Sequence, residues 1–142
     1  QIKLIDFGLS EQFKSAASTG SSKKKRFWSR KFCGKPNYQS PELVEKRVFD
    51  AAANDVWCAA VCLFIMCVGS SPWDIAHESD LRFKLIMNGG MKQLLKAWDK
   101  LRYFEGNEDA LDLLERMFQA EQHRIGVQEI REHAWLQEAK GQ

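Results

Sequence analysis

Hydrophobic and polar positions along this chain divide into one unbroken apolar block and a set of mixed segments on either side of it. From Val56 to Val68 the order is Val-Trp-Cys-Ala-Ala-Val-Cys-Leu-Phe-Ile-Met-Cys-Val, with no charged or amide side chain. Asn54 and Asp55 close the run on one side and Gly69-Ser70-Ser71-Pro72 on the other. It falls short of the about 20 residues that a membrane span needs, so it predicts a buried core helix and no membrane. A helix apolar on every face has no side for water, and the rest of the fold is expected to wrap it. Asp50 is placed to cap this helix, with Ala51 to Ala53 as its first turn.

Shorter patterns surround the block. Gln1-Ile2-Lys3-Leu4-Ile5 reads as a strand that runs into the Asp6-Phe7-Gly8 turn, where glycine permits a sharp bend. From Leu9 to Gln39 neither period is sustained, which predicts a long exposed loop; loops of that length tend to be functional or mobile. Ser40-Pro41-Glu42-Leu43 has a hydroxyl at the N-cap position, proline at the first helical position and an acid in the first turn, predicting a short helix to about Lys46. Further helices are predicted from about Glu78 to Met87 with Leu81, Lys84 and Leu85 in three-and-four spacing, and from Met91 to about Leu101 with Leu94, Leu95 and Trp98. A third starts at an Asn107 cap and carries Ala110, Leu111, Leu114, Met117 and Phe118 on one face, the widest available partner for the central helix. After His123-Arg124-Ile125-Gly126 comes a helix with Val127 and Ile130 facing inward, and His133-Ala134-Trp135-Leu136 begins the last turns. No internal repeat or heptad is present.

Composition places the chain in the globular class, with 142 residues, 44% hydrophobic and 28% charged. A net charge of +2 is too small to imply nucleic acid as partner. Its one concentration is Lys23-Lys24-Lys25-Arg26, which makes Ser18, Thr19, Ser21, Ser22 and Ser29 candidate phosphoacceptors, because a phosphate there finds cations next door. A solvated basic loop without regulation is the alternative. Three of the four cysteines lie in the apolar helix, too close along it for disulfides, so a reducing, intracellular compartment is expected. That compartment is the cytoplasm, or the nucleus if the basic run is a localisation signal. Cys58 and Cys62 share a helix face, but no histidine or further cysteine follows at ligand spacing, and they read as small core hydrophobes. No basic-then-apolar leader opens the chain, and its strand-like start without Met predicts that it begins inside a longer protein.

Taken in order, Lys3-Leu4-Ile5-Asp6-Phe7-Gly8-Leu9-Ser10, Cys33-Gly34-Lys35-Pro36-Asn37-Tyr38-Gln39-Ser40-Pro41-Glu42, Asp55-Val56-Trp57-Cys58, His123-Arg124-Ile125 and His133-Ala134-Trp135 resemble the eukaryotic protein kinases. Each piece alone is modest, but the order and spacing together are specific. The opening, and Pro72-Trp73 followed by Asp80, Phe83 and Ile86, look most like the calcium/calmodulin-dependent-type serine/threonine kinases. The resemblance implies a mainly α, kinase-like C-terminal lobe packed around a central helix, the complete kinase being α+β. It covers residues 1–142 as a partial kinase domain from Asp-Phe-Gly to the end of the large lobe, with 9–39 as activation segment.

On that resemblance Asp6 is a ligand of the Mg²⁺ that bridges ATP phosphates, a hard oxygen for a hard cation. Gly8 lets its segment flip, Glu42 pairs with Arg124, and Asp55 accepts backbone amides of a catalytic loop. ATP, Mg²⁺, a protein substrate and the missing N-terminal part of the kinase are the implied partners.

The departures are equally specific. Lys35 stands where serine/threonine kinases place the threonine that contacts the catalytic aspartate, and Lys31 occupies the common activating phosphosite, leaving Ser29 nearest. Ser40, Ala60 and Ala134 are milder exchanges. The sequence holds no glycine-rich loop, strand lysine, helix glutamate or His-Arg-Asp loop, hence no catalytic residue and one metal ligand of the set that phosphoryl transfer requires. The chain alone is therefore expected to be inactive, and helices that would cover another side of the central one are missing. A non-catalytic, pseudokinase-like remnant or interaction module is the alternative.

Overall fold

The computed structural model describes residues 3–13 and 26–138. Ser18, Thr19, Ser21, Ser22 and Lys23 to Lys25 lie outside the described residues. Among the described residues the fold is a helical assembly with one two-stranded ribbon. Asp50 accepts from the Ala52 amide and so starts the central helix α2, Ala51–Val68; Gly69 ends it at φ 85, its amide donating to the Ile65 carbonyl. Its 18 residues would suit a membrane span by length and composition. Here its packed side is a core surface. Trp57, Ala60, Val61 and Phe64 are fully enclosed, with Val56 and Val68 nearly so.

Helix α5, Glu108–Met117, supplies the largest share of the cover, with the strand Phe49–Asp50 and the Pro36–Tyr38 turn also packed on α2. It presents Ala110, Leu111, Leu114 and Met117 as its periodicity predicts, with Leu113 beside them. Helix α4, Met91–Ala97, buries Met91, Leu94 and Leu95. Between them and α2 lies an aromatic cluster: Trp57 stands 5.2 Å from Trp73 and from Phe118, and Trp73 4.9 Å from Phe118. Tilted and edge-on ring pairs of this kind add to the burial of their large apolar area. Helices α6, Val127–Glu132, and α7, Ala134–Glu138, pack on each other, and α7 packs on α5.

Several sequence expectations are corrected. The central helix is not enclosed all round: Cys62 and Met66 face outward, Met66 at 73% exposure. Cys62 is therefore no core hydrophobe, whereas burial pushes the Cys58 thiol up to about 12 and its Sγ donates to the Tyr38 carbonyl. Residues 3–5 form no strand and lie open, because no described segment runs beside them to satisfy a ladder. Ser40 precedes α1, Pro41–Val44, but does not cap it; its buried hydroxyl has no hydrogen-bond partner among the described residues. Helix α3, Leu81–Met87, starts later than predicted because Asp80 caps it through the Arg82 and Phe83 amides. It buries Phe83 and Ile86, while Leu81 and Lys84 point to solvent. Asn107 precedes α5 without a side-chain cap bond, and Val127 is exposed at the start of α6, leaving Ile130 as that helix's packed residue.

The predicted loop 9–39 also contains order. Its strand β1, Trp28–Ser29, pairs antiparallel with β2, Phe49–Asp50, setting Trp28 opposite Asp50 and Ser29 opposite Phe49. A 3-10 turn, Pro36–Tyr38, follows and packs against α2.

The two-sidedness of α2 sets a measurable contrast. Phe64→Ala is expected to cost about 3 to 5 kcal/mol and Met66→Ala to stay within about 0.5 kcal/mol, read by urea denaturation of the 142-residue chain. Equal losses would mean that α2 is covered on both sides.

Candidate functional site

The strongest polar constellation joins two segments far apart in sequence. Pro41 fixes the first turn of α1, and the next residue, Glu42, is turned inward to 1% exposure. Arg124 lies in the connection between α5 and α6, where its Nη1 donates to Glu42 Oε1 at 2.6 Å and its Nη2 to Oε2 at 3.2 Å. Both side chains are essentially sealed from solvent. A two-pronged guanidinium–carboxylate pair is the strongest form such a contact takes. Arg124 also donates from Nη1 to the Ala53 carbonyl at 2.9 Å and from Nε to the Gln119 carbonyl at 3.0 Å, and lies over the Trp57 ring at 4.8 Å. One residue thereby binds α1, the first turn of α2, the end of α5 and the aromatic core.

A second tie runs beside it. The Asp50 carboxylate, besides capping α2, accepts from the Phe27 amide at 3.1 Å, and Phe27 returns its carbonyl to the Ala51 amide at 2.7 Å. Glu121 in turn accepts from the Asp50 amide. Sequence reading gave Asp50 only its cap. Glu121 it missed altogether, because nothing local marks a partner 71 residues away.

The other predicted residues stand apart. Asp6 adopts a left-handed backbone, φ 61 and ψ 76, and its Oδ1 accepts from the Gly8 amide at 3.3 Å. Gly8 is not itself at positive φ; a Cβ there would stand 3.3 Å from Asp6 Oδ1, so the residue serves this close approach. Lys35 is exposed at the head of the Pro36–Tyr38 turn, and its ammonium has no partner among the described residues. Asp55 sits on the open side of α2 with no hydrogen-bond partner among the described residues; desolvation holds its carboxyl above the ordinary value. No described contact joins Asp6, Lys35 and Asp55. Ser29 is buried, and its hydroxyl donates to Glu11 Oε2 at 2.5 Å. Clefts of about 380 and 530 Å³ open beside Arg124 and Glu42, lined by none of Asp6, Lys35 or Asp55.

These residues do not by themselves make a nucleotide–metal site. Asp6 offers one exposed carboxylate, and the described residues contain no group of three His, Cys, Asp or Glu able to hold a metal ion. Mg²⁺ needs near-octahedral oxygen ligation shared with phosphates and water, of which this set gives one donor.

Removing either member of the sealed pair leaves a charge without its partner. Glu42→Ala and Arg124→Ala are each expected to cost about 3 to 5 kcal/mol. In a double-mutant cycle on the full-length protein the two losses overlap strongly; full additivity would dissolve the pair.

The family model for the protein kinase domain matches residues 1–136. Serine/threonine protein kinase OSK3 of Oryza sativa is 33% identical over 96% of this chain, which covers 23% of that protein. The probable serine/threonine-protein kinase MARK-A of Dictyostelium discoideum is 32% identical over 99% of the chain and 11% of its own length. Serine/threonine-protein kinase SIK2 of Gallus gallus is 28% identical over 96% of the chain and 15% of its length. The chain thus spans less than a quarter of each of these relatives. With its order of motifs, its helices gathered on α2 and the family match along nearly its whole length, the chain belongs to the eukaryotic protein kinase family and has the mainly helical fold of that family's C-terminal lobe.

Proposed function

We propose that this chain supplies the activation segment and helical base of a serine/threonine protein kinase, which in complete form transfers the γ-phosphoryl group of ATP to serine or threonine of a protein substrate. The observation that carries the reading is the sealed Glu42–Arg124 pair, which fixes the end of segment 9–39 to the helices below it. A peptide substrate has to be held in line with the nucleotide, and a segment anchored at its end gives it a fixed floor. Asp6 would hold Mg²⁺ through one carboxylate oxygen, the metal supplying charge neutralisation at the phosphates. On this reading the nucleotide lobe and catalytic loop would come from outside these 142 residues, and the chain alone is expected to be inactive. Its place is inside the cell, where thiols such as the exposed Cys62 stay reduced.

One observation favours a second reading, a pseudokinase-like interaction module. Lys35 replaces a threonine with a long cation that has no partner among the described residues, at the place where the resemblance puts a contact to the catalytic aspartate.

Thermal shift and peptide phosphorylation on the full-length product separate the two, because a ligand of the native state raises the melting temperature. The kinase reading expects Mg²⁺–ATP to raise it, transfer to a serine/threonine peptide to occur, and Asp6→Asn to abolish transfer. A product that neither shifts nor transfers supports the interaction module instead.

A further inference from the structure

The two arms of segment 9–39 are strapped together across their described ends. Ser29 donates its hydroxyl to Glu11 Oε2 at 2.5 Å while its Oγ accepts from the Lys31 amide at 3.1 Å. Lys31 reaches back with Nζ to the Ser10 carbonyl at 3.1 Å. Phe13 and Phe27 add a ring contact at 5.3 Å. Ser29 itself is 4% exposed, locked in β1 opposite Phe49. The hydroxyl is thus the centre of the strap: its single proton is committed to a carboxylate and its oxygen to a backbone amide.

We propose that this strap closes the segment without phosphate, and that a phosphate on Ser29 opens it. Phosphate orders a segment when it meets arginine or lysine side chains, and disrupts one when it is set beside Asp or Glu. At Ser29 the group in direct contact is the Glu11 carboxylate, so the second outcome applies. Phosphorylation by a protein kinase would form the Ser29 Oγ–phosphorus bond, break the bond from the γ-phosphorus to ADP, and release ADP and the hydroxyl proton. The proton that joined Ser29 to Glu11 is the one lost, and a group of charge about −1.5 to −2 takes its place against a carboxylate. With Ser29 expelled from β1, its pairing to β2 and the Phe27 bonds to Asp50 and Ala51 lose their neighbour. The sign is opposite to that of an activating phosphate, and Lys31 accounts for it: the cation already makes the cross-link at the position where the resemblance places the phosphosite. The strap is a structural statement that stands without the kinase reading; its regulatory meaning rests on that reading.

The experiment reads structure, so its failure is separate from failure of the catalytic assignment. Tryptic cleavage after Arg30 and Lys31 in the native full-length protein reports the open population of the arm. Ser29→Glu is expected to speed this cleavage by roughly tenfold or more, and phosphoserine installed at position 29 to do the same. Adding Glu11→Arg to Ser29→Glu is expected to return the rate to within about twofold of the unsubstituted protein, since opposite charges then face each other. Should Ser29→Glu fail to fold, Glu11→Ala, which deletes only the acceptor, is expected to open the same sites. Cleavage of Ser29→Glu at the unsubstituted rate, a double variant no slower than Ser29→Glu, or an unchanged rate in Glu11→Ala would each overturn the proposal.

Discussion

A carboxylate and a guanidinium can share a dry interior only if each supplies what the other lost on leaving water. Glu42 and Arg124 meet that condition. Desolvation costs several kcal/mol per ion, and the return comes from two parallel hydrogen bonds plus the Ala53 and Gln119 carbonyls, which take two more of the guanidinium donors. The face of Trp57 completes the enclosure. Such a pair adds less net stability than its Coulomb attraction suggests; what it fixes is arrangement. Neither residue can move without exposing or orphaning a charge, so α1, the start of α2 and the turn after α5 are held in one relative placement.

That placement gives the chain its character. On one side α2 is sealed by α5 and an aromatic cluster; on the other it leaves Cys62, Met66 and Asp55 open. The N-terminal stretch shows the same property, with Leu4, Ile5 and Phe7 exposed. The anchored side carries the segment.

The sequence made some of this legible and concealed the rest for physical reasons. The ends of α2, its Asp50 cap and the packed face of α5 follow from rules that act within a few residues, and they appear where those rules put them. The Glu42–Arg124 contact spans 82 residues and was legible only through family spacing, since no local pattern says which acid meets which cation. Residues 3–5 have the composition of a strand, but a strand exists only beside another. In α3 and α6, seven and six residues long, too few positions repeat for the period to fix a face, and tertiary packing turned Phe83 and Ile86 inward and Val127 outward. Ser29 looked like an exposed acceptor because its neighbours are basic; Glu11, 18 positions earlier, claims it.

The most direct measurement is native-state hydrogen exchange at α1 and the turn after it, above all at the Arg47 amide, which donates to the Glu42 carbonyl at 2.9 Å. If the sealed pair holds α1 in place, that amide exchanges only through global opening, at the free energy of the most protected α2 amides, and in Arg124→Met it exchanges through a local opening of α1 while α2 stays protected. An Arg47 amide equally protected with and without Arg124 would contradict the central claim.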